Sequence, residues 1–392
     1  MIFRTPAYYK KFKCIASDCS DNCCIGWEID IDRISRARYE RVSGSFGDRL
    51  REGMTESPDG SCSFCLSEGR RCVFLNKDNL CDIIIELGED ALCQICRDHP
   101  RYFEWFDDGT KEGGMGLCCE ESARIILTNE EPFSVTETEI RDDEEESEGS
   151  GSGSFSDESG EWDGSETDPS ALEEDREYQA FVTAFRDECL GILDRETSVK
   201  EDLVLILEKA CKEQDAYDLK MAERYGEDAP EPALPAERMR SCVEDISLRN
   251  RILEGFMDLF SEAEPMEETW PEYLAQLKEG LSEEAPRSAL EPSEGVATDL
   301  YLKNIAQYFI WRYTRKGVFQ EEGFFLPYAV TPVFLTLLVA RMFVDHEIRG
   351  GEATLPECIN IVKAFSKEAE YDEELFDLIL RESCRIIGEN CR

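Results

Sequence analysis

After residue 178, apolar side chains recur every three or four positions through most of the chain, the spacing that fills one face of a helix. Ser198 and Glu201 form a capping box, and Leu203, Ile206, Leu207 and Ala210 follow on one face, so a helix is predicted to open there. The same pattern predicts helices over residues 239–260, 300–315, 332–348, 356–369 and 373–387. Thr331-Pro332 and Leu355-Pro356 put proline where a first helical turn tolerates it. The most apolar stretch, 324–344, holds Pro327, Pro332 and Arg341, and it reads as a loop leading into a buried core helix rather than a membrane span. No alternating β-branched runs and no regular strand spacing interrupt the pattern. Residues 178–392 therefore read as an all-α domain.

Upstream the pattern changes twice. Residues 137–177 carry eighteen acidic side chains against Arg141 and Arg176, with the repeat Gly-Ser-Gly-Ser-Gly-Ser starting at Gly149. Such a stretch buries too little apolar surface to offset its chain entropy, so it is predicted to be a disordered linker. Residues 1–136 read as irregular, and twelve of the eighteen cysteines lie there, between Cys14 and Cys119. The expected protein is mainly α: an irregular, metal-organised, cysteine-rich module over 1–136, the acidic linker, and the helical domain over 178–392.

Charge narrows the function. With 87 acidic against 43 basic residues the net charge is -44, which leaves little to neutralise phosphates, so a nucleic-acid binder is not expected. Basic partners are favoured instead, and lysine side chains are one such class. The opening Met-Ile-Phe-Arg-Thr-Pro has no apolar run of the kind a secretory signal needs, so the chain is expected to be cytoplasmic and not membrane-bound. Thiols stay reduced in that compartment, and eighteen cysteines then need an explanation other than a disulfide framework.

Metal is that explanation. Cys14, Cys19, Cys23 and Cys24 are followed by Cys62-x2-Cys65, Cys72, Cys81, Cys93-x2-Cys96 and Cys118-Cys119. Thiolates two to four residues apart on short loops converge on an ion without strain, and several such sets within about a hundred residues make a strong signal. Only His99 and His346 are present, so mixed Cys/His zinc sites are not expected. All-thiolate ligation fits either structural zinc or an iron–sulfur cluster, and the adjacent pair Cys23-Cys24 is awkward for one tetrahedral ion, which favours the cluster. The candidate ligands are Cys19, Cys23, Cys24, Cys72, Cys81 and Cys96, with Cys14, Cys93 and Cys119 next. His99, just before Pro100, reads as a helix-end residue, and Trp27 as packing under the cysteine loop. Cys189, Cys211, Cys242, Cys358, Cys384 and Cys391 fall in the helical region at no ligand spacing and read as small buried apolar residues.

Cys19-x3-Cys23-Cys24, Cys72-Val73-Phe74-Leu75, Leu80-Cys81-Asp82-Ile83 and Cys96-Arg97-x2-Pro100-Arg101 together resemble the broad family of zinc- or iron-chelating cysteine-cluster proteins. Cys14, Gly26-Trp27, Leu87-Gly88-Glu89 before Leu92-Cys93, and Cys118-Cys119-Glu120-Glu121-Ser122-Ala123-Arg124 narrow the resemblance to the flagellin lysine N-methylases. Weaker echoes follow over 300–304 and 365–371, where Lys367 and Tyr371 stand in place of the family's usual Arg and His. The resemblance implies an enzyme that moves a methyl group from S-adenosylmethionine to lysine side chains of flagellin, with a bound iron–sulfur cluster, of the four-iron kind. The alternative is a non-catalytic protein whose thiolates hold zinc or iron. No strand–glycine-loop–helix unit marks a donor site, and the residues single out no catalytic group.

Overall fold

The computed structural model describes residues 1–58, 60–140, 169–282, 298–320 and 323–391, and these divide into two units. The first comprises 1–5, 9–123 and 136–140; the second comprises 6–8, 124–135 and the described residues from 169 onward.

In the first unit, β1 (Ile2–Pro6) leads to α1 (Arg33–Glu40) and α2 (Gly44–Glu52). Two short hairpins follow: β2 (Met54–Glu56) with β3 (Cys62–Phe64), and β4 (Leu66–Ser67) with β5 (Arg71–Cys72). Next come α3 (Asp82–Leu87), α4 (Gln94–Asp98), β6 (Arg101–Phe106), β7 (Thr110–Met115), α5 (Glu120–Leu127), whose residues from Arg124 count with the second unit, and β8 (Val135–Glu139), which returns to the first at Thr136. Four of the strands make one mixed sheet in the order β6-β7-β1-β8, with β6 antiparallel and β1 parallel to β7.

The module expected to be irregular thus contains a regular sheet. Its hidden strand is β7, Thr-Lys-Glu-Gly-Gly-Met, which has no β-branched alternation and is nevertheless buried along its length. Lys111 pairs in register with Phe3 on one side and Trp105 on the other. Its ammonium lies 4.6 Å from the Phe103 ring centre and 4.8 Å from that of Trp105, so cation–π attraction replaces lost water. Gly113 lets rings lie on the backbone: a Cβ there would stand 2.8 Å from the Phe3 ring. A polar-looking strand is buried by aromatic neighbours that its own sequence does not reveal.

Behind the hairpins, Ile29, Ile31, Tyr39, Leu50, Phe64, Phe74 and Ile83 form a core together with Cys62, Cys72 and Cys93. Phe64 and Phe74 meet edge to face at 5.1 Å, the arrangement the ring quadrupole favours.

The acidic segment expected to be disordered lies outside the described residues over 141–168; its first residues belong to β8, and its last to α6 (Pro169–Leu193). The second unit continues with α7 (Val199–Tyr225), α8 (Met239–Glu244), α9 (Ile246–Phe260), α10 (Trp270–Ser282), α11 (Thr298–Tyr313), α12 (Leu326–Ile348), α13 (Leu355–Glu370) and α14 (Glu373–Cys391). From residue 178 onward the described residues form helices and their connections, as the helical period predicts, while 169–177, expected to be linker, are the first turns of α6.

Two predicted boundaries are corrected. The expected 239–260 helix breaks at Asp245, whose carboxylate accepts the Leu248 amide at 3.0 Å and caps a new helix. The expected loop before Pro332 is helical: α12 starts at Leu326, puts Pro327 in its first turn and carries Pro332 inside. Proline there forfeits one backbone bond. Burial all round the helix outweighs that loss, since its most apolar window is 94% buried and Phe334 stacks on Phe256 at 5.5 Å. It is the one described helix long and apolar enough to cross a membrane, and it is the core of this unit.

Candidate metal centre

Six thiols of the first unit are linked pairwise as electrostatic neighbours. Cys23 and Cys24 come from the loop after β1; Cys72 ends β5, and its amide donates to the Cys24 carbonyl at 2.8 Å. Cys81 occupies the N-cap of α3 and Cys93 the N-cap of α4, one turn before Cys96. A helix N-terminus presents unpaired amides and a partial positive charge, which suits a thiolate. Cys72 and Cys93 are buried in the core, Cys24, Cys81 and Cys96 are half-buried, and Cys23 stands exposed at the rim.

Electrostatics ties the six together. Burial pushes the Cys72 thiol up to about 11, helped by the nearby Cys81 and Cys93. Burial also raises Cys81, against the Ile84 and Ile83 amides that favour its thiolate, and Cys23 adds to the rise. The Cys23–Cys24 hydrogen bond lowers Cys23 and raises Cys24, which Cys81 and Cys72 raise further. Cys93 and Cys96 are a second such pair: their hydrogen bond lowers Cys93 and raises Cys96, which also feels Cys24 and Cys23. Each thiolate therefore resists the others, and a bound cation would remove that repulsion.

The remaining candidates lie elsewhere. Cys19 donates to the Asp21 carbonyl at 2.8 Å, stands 3.8 Å from Glu120, and lies near enough to Cys119 to raise its thiol. Cys119, just before α5, is pushed up to about 12 chiefly by burial, with Cys118 and Cys19 adding to it. Cys14 is exposed and accepts the Ala16 amide at 3.4 Å. Cys62 is raised by burial, and its charged neighbours are Arg36, Glu56, Glu40 and Cys65, none of the six. Trp27 packs as expected, its indole donating to the Cys23 carbonyl at 2.8 Å. His99 caps the end of α4, with its ring 6.4 Å from that of Trp27.

Among the described residues, no three His, Cys, Asp or Glu side chains already stand in an arrangement that holds one metal ion. The donor chemistry nonetheless fits a thiophilic metal or an iron–sulfur cluster: six sulfurs on four segments, with the apolar core beneath them and one edge open.

The second unit offers an open pocket of about 320 Å³, lined by Asn129, Asp194, Lys303, Asn304 and Gln307 among others. It includes residues of the 300–304 echo. Lys303 is already engaged, 3.0 Å from Asp202 and donating to the Arg195 carbonyl at 2.7 Å.

Fold and site define a protein with a cysteine-rich mixed module and a mainly helical second unit. Comparison with known proteins adds a distant homology. The chain is 26% identical over 141 residues to a lysine-N-methylase of Salmonella typhimurium (strain LT2), a match spanning 34% of this chain and 35% of that protein. A lysine-N-methylase of Salmonella choleraesuis matches to the same extent. The flagellar biosynthetic protein FliU of Salmonella muenchen is 26% identical over 138 residues, 34% of this chain and 80% of its own length. The chain thus matches about a third of the length of the lysine-N-methylases. No family model matches the sequence, and no solved structure matches it.

Proposed function

We propose that the chain is an S-adenosylmethionine-dependent lysine N-methyltransferase acting on flagellin in the cytoplasm, and that Cys23, Cys24, Cys72, Cys81, Cys93 and Cys96 hold its iron–sulfur cluster. The observation that carries the reading is the homology to lysine-N-methylases, with the FliU relationship pointing to the flagellum. The gathered thiols support the metal assignment. When bound, the cluster supplies a redox-active iron centre and a cross-link among the cysteine segments. For transfer, the lysine amine must lose its proton before it attacks the sulfonium methyl, so the protein must bury it or set positive charge beside it. The acidic surface draws basic side chains in from a distance.

The test is incubation of anaerobically prepared protein with the methyl donor and flagellin, read by peptide mass spectrometry alongside calorimetry of donor binding. Methylated lysines, absent with Cys81→Ser, are expected. Donor binding with unmodified flagellin would keep the methyltransferase and discard the substrate. Neither binding nor modification would leave a non-catalytic metal-binding protein.

A further inference from the structure

Four cysteines of the helical unit with no short spacing in sequence come together from three helices: Cys211 on α7, Cys242 on α8, and Cys384 and Cys391 on α14. Two of them touch. The Sγ atoms of Cys242 and Cys391, 149 residues apart in the chain, stand 3.0 Å apart, closer than two unbonded sulfurs ordinarily rest. Both are buried, Cys242 fully and Cys391 at 5% exposure in the last turn of α14. Their hydrogen bond lowers Cys391, against the effect of its burial, and raises Cys242, and the Arg238 cation favours the thiolate of each. Two sulfurs already in contact, with a cation in electrostatic reach of both, are placed to form a disulfide with little movement.

We propose that Cys242 and Cys391 are a reversible dithiol–disulfide couple that fastens α14 to α8 when peroxide is present. The Cys391 thiol gives up its proton as its sulfur attacks peroxide: an S–O bond forms, the O–O bond breaks, and the departing hydroxide takes that Cys391 proton to leave as water. The Cys242 sulfur then attacks that sulfenic sulfur: the S–S bond forms, the S–O bond breaks, and the second hydroxide leaves as water with the Cys242 proton. Two thiols and one peroxide give one disulfide and two waters. A small-molecule thiol reverses the link by exchange. Little motion is needed, because α14 is already seated near this end: Ile386 lies so close to Gly255 of α9 that a Cβ there would stand 2.7 Å from it. The couple is independent of the methyltransferase reading and uses none of the N-terminal cysteines.

The experiment treats the full chain with hydrogen peroxide, blocks remaining thiols with an alkylating reagent, and maps peptides without reduction. The expected product joins the Cys242 peptide to the Cys391 peptide, lighter by two hydrogens and separated again by dithiothreitol. Cys242→Ser and Cys391→Ser each abolish it, while Cys384→Ser leaves it. The oxidised chain should melt higher than the reduced one, because the link closes a long loop in the unfolded state. The proposal is overturned if both thiols are recovered alkylated at peroxide doses that oxidise exposed Cys14, if Cys391 goes to sulfinic acid without the link, or if a different pair joins. The wild-type map decides even if a variant fails to fold.

Discussion

The backbone amide of Gln94 donates to the carboxylate of Asp32 at 2.9 Å, while the other oxygen of that carboxylate accepts the Ser35 amide at 2.8 Å. One side chain therefore caps α1 and the first turn of α4, the turn that carries Cys93 and Cys96. Burial opposes the charge, yet these two amides outweigh it and hold the Asp32 carboxyl below the usual carboxylate range. The position of two candidate ligands thus depends on a residue that binds no metal.

Asp32→Ala should cost about 2 kcal/mol, roughly 1 kcal/mol for each cap lost, and should lower metal content. Asp32→Asn, which keeps one acceptor oxygen, should lose about half as much. Urea unfolding of the metal-free chain separates the stability term from the metal. Wild-type midpoints for both variants would show that the caps do not matter.

Lys303 and Asp202 make a second dependence, in the helical unit. The Asp202 side chain is almost fully buried, accepts a hydrogen bond from the Thr197 hydroxyl, and has Lys303 as its cationic partner at 3.0 Å. Lys303→Ala strands a buried carboxylate and should destabilise by about 3–5 kcal/mol. Adding Asp202→Asn to that variant should recover part of the loss. If the double variant is worse than Lys303→Ala alone, the pair is not coupled in this way.

The helical half was legible because a buried face repeats every three or four residues whatever its partners are. What escaped the pattern depends on neighbours far away in sequence. Pro332 sits inside a helix because packing on every side of α12 outweighs one lost backbone bond. The break at Asp245 depends on a cap within an unbroken apolar period. Spacing identified thiols on short loops but not which loops face one another. Cys23, Cys24, Cys72, Cys81, Cys93 and Cys96 gather, while Cys19 neighbours Cys119 and Cys14 stands exposed. Cys81 and Cys93 precede short helices, α3 and α4, that the sequence reading of an irregular module did not include. Cys242 and Cys391 gave no signal, because only the fold brings them together.

Gly113 tests the hidden strand. Gly113→Ala should destabilise by about 1–3 kcal/mol, because its Cβ overlaps the Phe3 ring and the rings must shift. In a Phe3→Leu background the same change should cost less. Equal costs in the two backgrounds, measured by thermal unfolding, would mean that the ring does not press on β7.

The most direct measurement is iron and acid-labile sulfide per chain in anaerobic, iron-replete preparations of single Cys→Ser variants. Cys81→Ser and Cys93→Ser should lose both elements, while Cys65→Ser and Cys119→Ser should keep them, since the latter two lie outside the group of six. Stoichiometric zinc without sulfide in the wild type, or depletion by Cys65→Ser and Cys119→Ser as deep as by Cys81→Ser, would contradict the six-thiol iron–sulfur site.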